Sequence, residues 1–245
     1  MAAREGARRA WRAGRAWFDE NGVRAAVWVG VALLVAGTVG FLVVLDHVRD
    51  GDDLAALDEP VLEALAAGRS EALTAFLVGV TTVSGTTVLP VITLVAALLW
   101  GSWKKRWWQA GLLAGAMIAS TIVSVTLKRV IARPRPPVDG MTGAGIEESY
   151  SFPSGHTIGA ATLLLVATYL VWVAKPSWRS LAGWLALVVL GVGLVALSRL
   201  YLGYHFVTDV VASTALAVAV LGGVVVVDRR RAARAARVTS EQLTD

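Results

Sequence analysis

His205 and Asp209 stand four residues apart where a polar stretch, Ser198 to Asp209, opens a long apolar run. On a helix that spacing puts both side chains on one face, within reach of each other. A carboxylate bonded to one imidazole nitrogen fixes the tautomer and leaves the other nitrogen free to act as base, nucleophile or ligand. Arg199 lies in the same stretch, and two other stretches carry related chemistry. Lys128 and Arg135 sit on either side of a helix end broken by prolines, so a point charge and a planar fork can converge on one tetrahedral oxyanion from different backbones. In Pro153-Ser154-Gly155-His156, Ser154 is a natural helix cap and Gly155 leaves the first free amides open to an anion, with a second histidine beside them.

Together these residues suit phosphoryl transfer without a metal. Lys128, Arg135 and Arg199 would neutralise the phosphate oxygens and the charge of the transition state. His205, oriented by Asp209, would attack phosphorus to give a phosphohistidine, and His156 would protonate the departing oxygen and then activate water. The histidines could instead ligate zinc with a carboxylate, although three neighbouring cations would oppose a divalent ion. The phosphoryl-transfer reading needs no cofactor. Arg129 and Arg133 are expected to snorkel to lipid headgroups, and His47 to be an interfacial residue.

The elements that must bring these stretches together are membrane helices. With 56% hydrophobic and 17% charged residues, the chain of 245 lacks the balance of a soluble globule. Six apolar spans are expected, at 25–45, 71–100, 109–131, 156–174, 180–197 and 205–227, giving an all-α polytopic fold. A basic segment, 1–24, precedes this membrane domain, 25–227, and a basic tail, 228–245, follows it. The second span carries Thr81 to Thr87 and then Pro90, a break tolerated only against protein or a wet cavity. Gly111 and Gly115 in the third span could allow close helix packing. Between the first two spans, Leu54, Leu57, Val61 and Leu65 recur at helical spacing. They predict an amphipathic helix, opened by Asp52 or Asp53 as cap, whose leucines rest in the acyl layer while Asp58 and Glu63 face water. That helix would form the lip of a sideways lipid entrance.

Most of the 23 lysines and arginines lie in the two termini and in the loops at 101–108 and 175–180. The positive-inside rule then puts both termini in the cytoplasm and the three polar stretches on the outer face of the cell membrane. The net charge of +5 sits beside the apolar runs, where headgroups would meet it, so the bilayer and not nucleic acid is the expected partner. There is no cysteine, which removes disulfides and thiolate metal sites. Nothing in the pattern sets an oligomeric state.

The three stretches read KxxxxxxRP from Lys128 to Pro136, PSGH from Pro153 to His156, and SRxxxxxHxxxD from Ser198 to Asp209. In order and complete, this resembles the signature of the type 2 phosphatidic acid phosphatase superfamily. The resemblance implies an integral membrane lipid phosphatase. Its substrate would be a lipid phosphate or diphosphate such as phosphatidate, phosphatidylglycerol phosphate or undecaprenyl diphosphate. The resemblance carries phosphate binding to Lys128, Arg135, Ser154, Gly155 and Arg199, acid catalysis to His156, and the nucleophile with its partner to His205 and Asp209. Val207 stands where members often have proline, a change confined to the first turn of the last helix. The competing reading is a lipid transporter or flippase lined by buried charges. It would place ionisable residues near the bilayer midplane at broken helices, whereas here they crowd one edge.

Overall fold

A bilayer offers the backbone no hydrogen-bond partner, so apolar runs of this length are driven into helices that satisfy their own amides. The computed structural model describes residues 2–137, 140–143, 145 and 147–241, without the side chains of 2–21, 236, 237 and 239–241. It contains α1 (Ala2–Asp50), α2 (Asp58–Ala67), α3 (Glu71–Val83), α4 (Val88–Lys104), α5 (Trp107–Ile131), α6 (Gly155–Ala174), α7 (Trp178–Tyr201) and α8 (Val207–Glu241), with a 3₁₀ turn at Ala55–Leu57. Among the described residues there is no strand. Among the described residues five of these helices are long and apolar enough to cross a membrane, and α3 and α4, bent by 54° at their junction, bring the number to the expected six when counted as one span. The break in that pair falls within Thr81 to Thr87, where the sequence put it. Large apolar side chains such as Trp28, Leu99, Val189 and Leu190 point outward, as a lipid solvent allows.

Helix ends follow local chemistry. Ser70, Ser154 and Ser177 each accept a bond from an amide of the turn they open. At the end of α5 Ala132 turns into the left-handed region, and its N–H closes on the Lys128 carbonyl just before Pro134. From there the described residues between Ala132 and Ser154 lead to the start of α6.

α1 lies along α8 over much of their length. Their backbones come so close that a Cβ on Gly222 would stand 2.3 Å from the Leu34 amide nitrogen. Gly111 and Gly115, the expected packing pair, meet nothing within 4 Å, so close approach is made by another pair of helices. Beneath the polar end, Phe41 and Leu45 of α1, Ile158 and Ala161 of α6 and Ala212 and Leu216 of α8 close around Phe152. The Phe41 and Phe152 rings stand 5.7 Å apart. In lipid such contacts stabilise by packing rather than by removal from water.

The connection between α1 and α3 departs from expectation. α2 begins at Asp58 behind Leu57, with no side-chain cap, while Asp52 bonds the His47 ring at 3.2 Å. Leu54 packs on the core beneath the site and Leu65 on Leu77, Tyr201 and Tyr204. Leu54 and Leu65 thus face protein, while Leu57 of the same stripe is half exposed. Asp58 lies on that same stripe, four residues from Leu54, and is buried at 3% exposure rather than facing water. At the other end, α8 continues as helix into the expected tail as far as Glu241. The basic character expected of segment 1–24 rests mainly on side chains outside those described.

Candidate active site

Three backbones converge above this core: the end of α5 with its proline-rich exit, the loop entering α6, and the turn from α7 into α8. Gly203 makes the last turn possible. Its φ is +79°, and a Cβ there would meet the Gly140 carbonyl at 2.3 Å.

His205 is 1% exposed. Its Nδ1 lies 3.0 Å from Asp209 Oδ2, which also accepts the Phe206 amide at 3.0 Å. A carboxylate has only lone pairs to offer, so Nδ1 carries the proton and Nε2 is left with its lone pair. Arg135 Nη1 stands 3.2 Å from that Nε2 and donates to the Tyr204 carbonyl at 2.7 Å. Burial, then the charges of Arg199, Arg135 and Lys128, push the His205 pKa well below its ordinary value despite the opposing Glu147. This shift favours the neutral imidazole, the form a nucleophile needs.

The cations are held in place by groups the sequence did not mark. Arg135 also donates to the Ser149 carbonyl at 2.6 Å and pairs with Glu147 at 2.7 Å. Arg199, 1% exposed, pairs with the other oxygen of the same carboxylate and donates to Thr81 Oγ1 at 2.5 Å. Its Nε is buried without a hydrogen-bond partner among the described residues. Burial alone would raise the Glu147 carboxyl, but Arg199 and Arg135 outweigh it and hold the group at about 2. Glu147 thus bridges the two arginines as an anion, next to His205. Lys128 donates to the Tyr150 and Ser151 carbonyls, tying α5 to the loop before α6.

His156, in the first turn of α6, makes no side-chain hydrogen bond among the described residues. It lines a cavity of about 250 Å³ with Glu147, Arg199 and the break between α3 and α4. A second cavity, about 630 Å³, shares Gly85 and Thr86 with it. Its walls include Leu89 and Pro90 of α4, Met117, Ser124 and Lys128 of α5, and Gly155 and Ile158 of α6. Ser154 lies outside both cavities. Fully buried, its hydroxyl accepts from the Thr157 amide and hydroxyl and so holds the start of α6.

The structure therefore brings His205, Asp209, His156, Arg135, Arg199, Lys128 and Gly155 to one end of the bundle and sets Ser154 behind them. Arg129, expected at the headgroups, is exposed on the rim of the larger cavity. Arg133, expected there too, turns inward: Nη1 pairs with Asp209 Oδ1 at 2.7 Å and Nη2 with Asp58 Oδ2 at 2.7 Å. Glu147, Asp58, Arg133 and Thr81 were missed as site residues. For Thr81 the polar break was a usable signal; an acid in a polar loop carries none.

A helical membrane bundle with a neutral, carboxylate-held histidine facing converging cations at one end defines a class of phosphate-handling membrane enzymes. The chain belongs to the PAP2 superfamily, whose pattern matches residues 109–233, and it is a phosphatase of that family. It is 30% identical over 162 residues to phosphatidylglycerophosphatase B of Bacillus subtilis, covering 65% of this chain and 77% of the relative. It is 35% identical over 109 residues to decaprenylphosphoryl-5-phosphoribose phosphatase of Mycolicibacterium smegmatis, covering 44% and 53%. The crystal structure of a transmembrane PAP2 type phosphatidylglycerolphosphate phosphatase from Bacillus subtilis superposes with a TM-score of 0.70 at 25% identity. That match covers 80% of this chain and 96% of the other.

Proposed function

We propose that this protein removes the terminal phosphate from a lipid phosphate or diphosphate through a phosphohistidine at His205, on the extracytoplasmic face of the cell membrane. The observation that carries the reading is the Nε2 lone pair of His205, which faces Arg135 beside a carboxylate already held between Arg135 and Arg199. A phosphate that exchanges with Glu147 on those arginines comes within reach of Nε2.

Nε2 attacks phosphorus and the bond to the lipid oxygen breaks, with His156 delivering the proton that oxygen needs. The imidazolium charge that develops on His205 is met by Asp209 through Nδ1–H. His156 then takes a proton from water, the water oxygen attacks phosphorus, and the phosphorus–nitrogen bond breaks to return the lone pair to Nε2. Arg135, Arg199, Lys128 and the open amides at Gly155 and His156 spread the charge of both transition states. The larger cavity, apolar along α4 and α5, suits the acyl or prenyl chain. Its walls support sideways entry beside the broken span.

The concentration of basic residues at the termini and at the loops 101–108 and 175–180 supports cytoplasmic termini and an outer site. The names of the relatives support phosphatidylglycerol phosphate and polyprenyl phosphates as the substrates to try first. The test is release of inorganic phosphate from these lipids in detergent micelles, with and without EDTA. Turnover that survives EDTA and disappears in His205→Ala supports the reading. Turnover lost to EDTA and restored by a divalent ion, or retained in His205→Ala, overturns it.

A further inference from the structure

A second buried charge cluster meets the site at Asp209 and lines neither cavity. Asp58, at the start of α2, is 3% exposed and comes from a segment that carries none of the signature motifs. Its Oδ1 accepts the Thr208 amide of α8 at 2.9 Å, and its Oδ2 accepts the Thr208 hydroxyl at 2.7 Å and Arg133 Nη2 at 2.7 Å. Arg133 Nη1 then reaches Thr208 Oγ1 at 2.6 Å and Asp209 Oδ1 at 2.7 Å. Its guanidinium also stacks 4.3 Å from the centre of the Phe206 ring.

The two oxygens of Asp209 divide the work. Oδ2 takes His205 Nδ1 and the Phe206 amide, while Oδ1 takes Arg133. A carboxylate held on both oxygens cannot rotate, and neither can the imidazole bonded to it. One guanidinium shared between two carboxylates also leaves each only partly neutralised. Asp209 therefore keeps enough negative charge to stabilise the imidazolium that develops when Nε2 attacks.

We propose that Asp58 and Arg133 are positioning residues for the hydrolysis: Asp58 fixes the Arg133 fork, which fixes Asp209 and so aims His205 and sets its electron density. The proposal rests on His205 being the nucleophile. It assigns α2 a place in the chemistry, where the sequence pattern gave it only a membrane surface.

Two variants test it in the full-length protein in detergent. Asp58→Asn leaves the Arg133 charge wholly on Asp209, and Arg133→Lys keeps a charge beside Asp209 but cannot span both acids. Each should lower kcat on a lipid phosphate on the order of tenfold to a hundredfold, with KM and vanadate inhibition within about twofold because the phosphate pocket is untouched. A spectroscopic signature separates positioning from support of the fold. The chain has only three histidines, so ¹⁵N-imidazole spectra resolve His205, and its downfield Nδ1–H proton should move upfield in both variants. Unchanged kcat and an unmoved Nδ1–H resonance in either folded variant would overturn the proposal. So would an equal loss of kcat and vanadate affinity. Should Asp58→Asn not fold, Arg133→Lys alone decides. Retained turnover in His205→Ala would instead sink the phosphohistidine reading, whatever these variants show.

Discussion

Both ends of the bundle carry a cluster of arginine, aromatic and acidic side chains, yet among the described residues only one sets a carboxylate-bonded histidine among its cations. At the cytoplasmic end expected from the charge pattern, Asp228 accepts Trp108 Nε1 at 2.9 Å and the Tyr169 hydroxyl at 2.7 Å. Arg229 donates to that hydroxyl at 3.0 Å, and Arg231 covers the Trp108 ring at 3.8 Å. One acid serves neighbours from α5, α6 and α8, and the cluster latches three helices together. At the other end Arg135 and Arg199 share the carboxylate of Glu147, Lys128 bonds the Tyr150 and Ser151 carbonyls, Arg199 Nε has no hydrogen-bond partner among the described residues, and a cavity opens against Arg199 and Glu147. Polar residues at helix ends are thus not a site by themselves. Cations beside open space do not distinguish one either, since Arg24, Arg230 and Arg234 line a cavity of about 320 Å³ at the Asp228 end; the histidine bonded to a carboxylate among the cations does.

That contrast can be broken by substitution, and the largest effect belongs at the nucleophile. His205→Ala removes the attacking atom, so phosphate release should fall to background for every substrate; measurable turnover with any leaving group would contradict the contrast. His156→Ala should cost about 10²-fold to 10⁴-fold on a lipid phosphate, the range of a general acid. The loss should be much smaller for a nitrophenyl phosphate, whose leaving group needs no proton. A rate ratio that ignores the leaving group would move the acid elsewhere.

Glu147→Gln comes next. Because Arg199 and Arg135 hold this carboxyl at about 2, it is anionic throughout the neutral range and competes with phosphate at every working pH. Removing the charge should lower the inhibition constant for vanadate about tenfold, or about 1.4 kcal/mol. Unchanged or weaker inhibition would mean that Glu147 supports the cradle rather than occupying it. Asp228→Asn should do least to chemistry. Thermal unfolding should come earlier by a loss on the order of 1 kcal/mol, with kcat and KM within about twofold. A selective loss of kcat there would erase the distinction between the two ends.

How much of this was legible beforehand follows from what each residue interacts with. Spans, the break at Thr81 to Thr87 and the three motif stretches were readable because bilayer thickness and helical spacing act locally. His205 and Asp209 were readable as a pair for the same reason, being one turn apart. Arg133 was misread because a cation at a helix end usually finds headgroups, and nothing near it in sequence announces Asp58, which reaches it only through the tertiary fold. Asp58 was misread because polar residues on an amphipathic helix usually face water, whereas here the stripe carries one acid inward. Glu147 lies in a loop without periodicity, and its position depends on two arginines from other elements.

The central claim is a covalent bond between phosphorus and His205 Nε2. It is tested most directly by quenching His156→Ala during turnover of a ³²P-labelled aryl phosphate. That substrate loads the enzyme without an acid, while release still needs His156 to activate water. The account predicts a protein-bound label that is stable to alkali, labile to acid and confined to the His205 peptide. No bound label in an enzyme still releasing phosphate, or a label on any other residue, would contradict it.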